Sequence, residues 1–288
     1  MTTTQTLSGG KQASVSPVVT EIQKLRGFVE QLISSYFPKL AQAPNIIYVY
    51  MAILGFESGW KLLHQRGLTL SSMHYSFVKG SPQERGAVST YLRSPIISNL
   101  LNSPSVTPTT IQNIYQGCVA HGLSATMGYY YVQGSPASVN RFGQYPGLVS
   151  DLSLLVQPGQ PITSLFQSGD DLAKKRSLAS GLVILETDYS IYLKSYASNT
   201  ALARAVGSYL GAAGVADKNG LTPEQRIVDV LGGSNSVTRS LSLAGISLDG
   251  SAFVANSQTS GSSSDSSNDQ TRSASTSSSR QPSPGCTA

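Results

Sequence analysis

Glu57 closes an apolar stretch of eleven residues, 46–56, inside the string Ala52-Ile-Leu-Gly-Phe-Glu57-Ser58-Gly59-Trp60. A carboxylate set among aromatic and aliphatic neighbours is costly to bury charged, so it acquires a partner or keeps its proton toward neutral pH. A carboxyl group protonated near pH 7 is what a general acid needs to protonate a glycosidic oxygen. The plain alternative is a Glu that caps the exposed edge of a core helix.

The elements that must position this residue follow from periodicity. Val18, Ile22, Leu25, Val29, Leu32 and Ile33 mark an amphipathic helix that opens with Ser16 as N-cap and Pro17 as first helical residue. Pro38 and Pro44 punctuate its exit, and the next helix runs over 45–59 to end at Glu57. Residues 60–117 are less regular, interrupted by Pro82, Pro95, Pro104 and Pro108, with short helical patterns at 87–92 and 109–115. A glycine-bounded segment, 122–128, breaks the pattern before Tyr129, Tyr130 and Tyr131. Further helices are expected at 146–155, at 172–196 with Leu178, Leu182, Leu185, Tyr189, Tyr192 and Leu193 as apolar positions, and at 199–210, ended by Gly211. Thr222-Pro-Glu-Gln has the N-cap, proline and acidic-turn pattern of a helix start, extending through Leu231. No alternating strand pattern with hairpin turns stands out and no internal repeat is present, so the fold class is all-α. Residues 1–16 read as a flexible polar arm and 17–232 as one helical domain. Order fades from about Ser234, and 233–288 read as a Ser-rich disordered tail with too little apolar surface to offset the entropy of ordering.

Composition narrows the function classes. Of 288 residues 40% are hydrophobic, enough for a substantial core, while only 12% are charged, roughly half the usual share. Ser, Thr, Asn, Gln and Tyr must supply solubility, which suits a protein inside an assembly or one that handles carbohydrate. The net charge of +5 comes from scattered Lys and Arg with no basic run, so no nucleic-acid footprint is read. Cys118 and Cys286 are far apart and give neither a structural disulfide nor a zinc spacing. His64, His74 and His121 form no close ligand pair and read as surface or supporting residues, so no metal and no cofactor are expected. The N-terminus has no apolar core of a secretory signal, and the 46–56 run is too short to span a membrane.

Three features then follow in order: Glu57-Ser58 at a helix end, Gly122-Leu123 with Met127-Gly128, and Ala205-x-x-x-Tyr209-x-Gly211-x-x-Gly214 at the end of a helix. This order resembles the lysozyme-like lytic transglycosylases and goose-type lysozymes. Their pattern is a Glu-Ser at a helix end, a Gly-Leu-Met-Gln-type turn and an Ala-x-Tyr-Asn-x-Gly-type helix terminus. Residues 122–130 are similar to the Gly-Leu-Phe-Gln-x-Met-Gly version in phage-borne N-acetylmuramidases. The resemblance covers about residues 45–231 and implies a lysozyme-like domain that cleaves peptidoglycan glycan strands between N-acetylmuramic acid and N-acetylglucosamine. It implies Glu57 as the catalytic acid, with Ser58, Gly122, Leu123, Met127, Tyr129 and Tyr209 binding or positioning the substrate. Met127 and Tyr129 to Tyr131 are equally consistent with a glycan groove and with plain core, and Trp60 with a groove wall or a helix-end anchor.

The departures from the pattern matter as much. Ala125 stands where the family usually has Gln, and Leu210 where it has Asn. A missing amide lowers activity, and a non-catalytic structural or assembly protein on a degenerate lysozyme-like fold is the rival expectation. Between Glu57 and the middle motif the only other acid is Glu84, in the loop Ser81-Pro-Gln-Glu-Arg. Inverting hydrolysis needs a second carboxylate roughly 6.5–9.5 Å across the bond. Its scarcity leans toward a one-carboxylate, transglycosylase-like route instead of muramidase hydrolysis. The expected partners are glycan strands of the cell wall and other proteins of a virion or secretion machine. Location in a virion or delivery to the cell envelope follows from the same resemblance.

Overall fold

The computed structural model describes residues 16–76, 82–210, 220 and 236–247. Its organising element is a long helix whose middle is buried all round. Asp170 starts it, its side chain accepting the Ala173 N–H at 2.8 Å. The helix, here α9, runs Asp171–Tyr192, and every residue from Ser177 to Tyr189 is buried.

Other helices pack against it and against one another. Helix α1 (Pro17–Tyr36) lays Val19, Ile22, Leu25, Val29, Leu32 and Ile33 into the core, with Pro17 opening it as expected. Ser16 stands at the N-cap position, yet its hydroxyl makes no capping bond. Helix α2 (Ile46–Ser58) is buried on nearly all sides, and Gly59 ends it in the left-handed region at φ 55°. A single turn, α3 (Lys61–His64), follows. The proline-rich middle folds into α4 (Pro82–Arg93), α5 (Pro95–Leu101) and α6 (Pro108–Gln116). In α5 and α6 each proline occupies the first turn, where its missing N–H costs nothing, so what reads as interruption is helix initiation. Short helices α7 (Pro136–Asn140) and α8 (Pro146–Leu152) precede α9, and α10 (Ser198–Leu210) packs back against α9.

The helical class read from the sequence holds, with two corrections of detail. The helical body contains a three-stranded antiparallel sheet, β1 (Met73–Ser76), β2 (Val119–His121) and β3 (Thr126–Met127). Ala120 pairs with Met127 and His121 with Thr126, while Met73 pairs with His121 across a bulge. Strands of two to four residues are too short for alternation to register in the sequence. The second correction is at the C-terminus. A further helix, α11 (Ser236–Leu243), lies inside the stretch read as tail and packs on α2 and α1, burying Val237 and Leu241. Two buried apolar residues in an otherwise polar helix are enough when a prepared surface receives them. The ends read as a flexible arm (1–15) and as the Ser-rich tail beyond 247, and the helix expected at 222–231, lie outside the described residues.

Among the described residues, no helix is long and apolar enough to cross a membrane. Likewise, no group of three His, Cys, Asp or Glu side chains comes together to hold a metal ion. His121 is no surface residue: it is fully buried, stacked on Phe166 at 6.2 Å, with Nε2 bonded to the Gln116 carbonyl at 2.8 Å.

Candidate active site

Glu57 is half-buried in the last turn of α2. What fixes that turn is the corner behind it. The Ser58 hydroxyl donates to the Leu54 carbonyl at 2.7 Å and accepts the Trp60 N–H at 3.0 Å, tying both sides of the corner together. Gly59 and Trp60 both take left-handed backbone, at φ 55° and 57°. That conformation suits glycine and costs a bulky residue roughly 1–3 kcal/mol. Trp60 accepts it because its ring folds back over Gly55, where any Cβ would lie 2.7 Å from Cε2 and Cζ2. Trp60 is therefore a helix-end anchor, 3% exposed, and not a groove wall. Phe56, by contrast, is more than half exposed beside the carboxyl group.

The middle motif is the turn that joins β2 to β3. Gly122 takes φ 71°, and a Cβ there would collide with the Ser177 hydroxyl of α9. Ala125 takes φ 49°, a position that a residue with a side chain seldom occupies. The turn is fastened to α9 by a buried chain of hydroxyls. Leu123 N–H donates to Ser177 Oγ at 2.6 Å, and Ser124 Oγ donates to the Ser177 carbonyl at 2.8 Å. Ser124 and Thr126 hydroxyls meet at 2.8 Å, and Tyr131 donates to Ser180 Oγ at 2.7 Å. Burial pushes the Tyr131 phenol up to about 12, with the hydroxyls of Ser180, Thr126 and Ser124 pulling the other way.

Tyr209 joins the third motif to the other two. Its hydroxyl donates to the Ser124 carbonyl at 2.6 Å, so α10 reaches the turn over α9. Burial raises its phenol well above the ordinary value, and the Glu57 carboxylate is the next largest cause. An anionic neighbour makes the phenolate harder to form, which keeps Tyr209 a hydrogen-bond donor. Gly181 permits the junction, because a Cβ on it would run into the Tyr50 and Tyr209 hydroxyls and Ser124 Cβ. Tyr50, from α2 itself, donates to the Leu178 carbonyl at 2.6 Å and completes the link from the Glu57 helix to α9.

The structure thus joins the 122–128 turn and Tyr209 at Gly181, with Tyr50 of the Glu57 helix meeting them there and Glu57 within electrostatic reach of Tyr209. It narrows what some of them can do. Leu123 is fully buried, Met127 is 2% exposed and Tyr129 1%, so direct sugar contact is closed to them and shaping the turn is what remains. Tyr130 and Tyr131 are core residues as well. Glu84 lies on the first turn of α4, not in a loop, and its side chain is outside the described residues. Gly211 and Gly214 also lie outside them.

Sequence reasoning missed the hydroxyl chain and two buried acids. Ser177, Ser180 and Gly181 are spaced so as to share one face of an otherwise apolar helix, a signal that was available. Glu186 accepts the Leu40 N–H at 3.0 Å, and Asp188 pairs with Arg141 at 2.6 Å, both in the far half of α9. Burial raises both carboxyls above their ordinary values. Their partners, the Leu40 N–H and Arg141, assign both acids to structure.

Compared with models of known families, with curated proteins and with solved structures, the chain finds no match.

Proposed function

We propose that the chain cleaves the glycan strands of peptidoglycan between N-acetylmuramic acid and N-acetylglucosamine, with Glu57 as general acid. The observation that supports this reading is the direct bond between the second and third motifs, Tyr209 to the Ser124 carbonyl, beside Tyr50 of the helix that ends at the half-buried Glu57. Glu57 gives its proton to the glycosidic oxygen as the bond to the anomeric carbon breaks. The resulting carboxylate then takes a proton from the attacking oxygen. If that oxygen is the sugar's own 6-hydroxyl, an anhydro end forms; if it is water, a reducing end forms. With no second acid on the same neighbourhood among the described side chains, the intramolecular route is the favoured one. Tyr209 stays protonated and holds the turn through the Ser124 carbonyl, and Ser58 holds the helix end. The protein needs no cofactor for this chemistry. Glycan strands are its substrate, and a virion or secretion machine that carries it to the cell envelope is its proposed setting.

One observation favours the rival, a structural protein on a degenerate lysozyme-like fold. Ala125 is 6% exposed, and the turn offers a methyl group where the family's pattern has an amide. Digestion of purified peptidoglycan followed by mass spectrometry separates the two. Anhydro-muramoyl products, lighter than hydrated ends by one water, support the transglycosylase. Their loss by about 10²–10⁴-fold in Glu57→Gln, with unchanged circular dichroism, assigns the acid. Neither product at any enzyme level leaves the structural reading in possession.

A further inference from the structure

The helix end that carries Glu57 is not self-supporting. Trp60 holds a left-handed backbone at φ 57°, which a bulky side chain adopts only where the surroundings enforce it. Its indole N–H is buried and finds no hydrogen-bond partner among the described residues. Both are unfavourable, and what opposes them is packing. The ring lies over Gly55, and the space a Gly55 Cβ would fill is bounded on its other side by Val237 Cγ1, also at 2.7 Å. Val237 belongs to α11, which is separated from α10 by more than twenty residues and lies beyond the motif-bearing region. Leu241, Ala244 and Ile246 are buried with it. Gln23 and Arg26 of α1 donate to the Ala244 and Gly245 carbonyls at 3.5 and 3.4 Å, and so fasten the end of α11 to the core.

We propose that α11 is a positioning element for Glu57: Val237, closing on Trp60 and Gly55, clamps the corner that aims the carboxyl group. The significance for catalysis rests on the function proposed above, whereas the mechanical coupling can be read without it. Val237 and Trp60 are positioning residues, since neither touches the reacting atoms.

The test uses the full chain. Trp60 is the single tryptophan, so its emission reports the clamp directly. Glu57 is followed by carbon-13 NMR titration of its carboxyl carbon, assigned by its disappearance in Glu57→Gln. Val237→Ala and the gentler, isosteric Val237→Thr are compared with Leu148→Ala, which removes a buried side chain from α8, away from the clamp. The expected result is a red-shifted Trp60 emission and a Glu57 midpoint displaced by about half a pH unit or more in both Val237 variants. Leu148→Ala lowers Tm with neither change. Where wild-type cleavage is measurable, kcat falls about tenfold to a hundredfold in the Val237 variants with KM little changed. The proposal is overturned if Trp60 emission moves while the Glu57 midpoint stays at its wild-type value, or if Leu148→Ala displaces it equally. Absence of cleavage in the wild type would count against the glycosidase reading alone, because the titration still decides the coupling.

Discussion

Tyr209 illustrates how much one hydroxyl carries at the scale of the residue. It supplies the donor to a buried carbonyl, that of Ser124, and stands within electrostatic reach of Glu57. In Tyr209→Phe that carbonyl loses its donor, and an unsatisfied buried acceptor costs about 1–3 kcal/mol. Calorimetry should show Tm falling by several degrees, since 1 kcal/mol corresponds to roughly 2–4 °C in a domain of this size. On the function proposed above, cleavage should fall by more than the loss of folded protein explains, which activity per folded molecule measures. The glutamate and tyrosine were legible in the sequence because both sit at the ends of strongly patterned helices. The spacing of Ser177 and Ser180 marked a polar face on α9, but what those hydroxyls bond to was not legible, since their partners lie about fifty residues away.

Elements meet here through glycines. Gly122 and Gly181 are the points where the β2–β3 turn, α9, α2 and α10 approach closest, and each faces a hydroxyl that a Cβ would strike. Gly122→Ala adds left-handed strain to the clash with Ser177, so a loss of more than about 2 kcal/mol is expected. Ser177→Ala leaves the Leu123 N–H without its acceptor. The double variant relieves the collision and should be less destabilised than the sum of the two singles, a coupling that denaturant melts of the four proteins will measure. Additive losses would mean that the turn relaxes independently of α9. Ala125→Gln, which the resemblance suggests would restore activity, must place an amide at a buried position and is expected to lower Tm.

For the molecule as a whole, stability depends on acids buried in the far half of α9. Glu186 has its carboxyl raised above the ordinary value of 4.5 by burial, with the Leu40 and Lys39 N–H groups opposing. A carboxyl whose folded value is raised favours folding when protonated, so its contribution is complete below the unfolded value and is lost as pH rises through the folded one. Glu186→Gln keeps an acceptor for Leu40 and removes the charge. Its Tm should exceed the wild type's at pH 7, with the gap closing as pH falls toward 4. A constant gap across pH would show that charge is not the cause. Arg141→Met tests the neighbouring pair: it strands Asp188 in the interior and should cost about 3–5 kcal/mol at neutral pH, read from denaturant melts.

By itself the sequence determined the helical class, the main helix positions and the order of the three motifs. Those depend on local periodicity, on proline and N-cap chemistry and on the spacing of residues along one chain. Tertiary structure alone decided that Trp60 anchors instead of lining a groove and that Tyr129 to Tyr131 are core. It also decided that short strands form at 73–76, 119–121 and 126–127, and that α11 belongs to the folded body. Each of these turns on contact with a surface built by distant residues. Val237 is one valine in a serine-rich stretch until Gly55 and Trp60, about 180 positions earlier, offer it a place to bury.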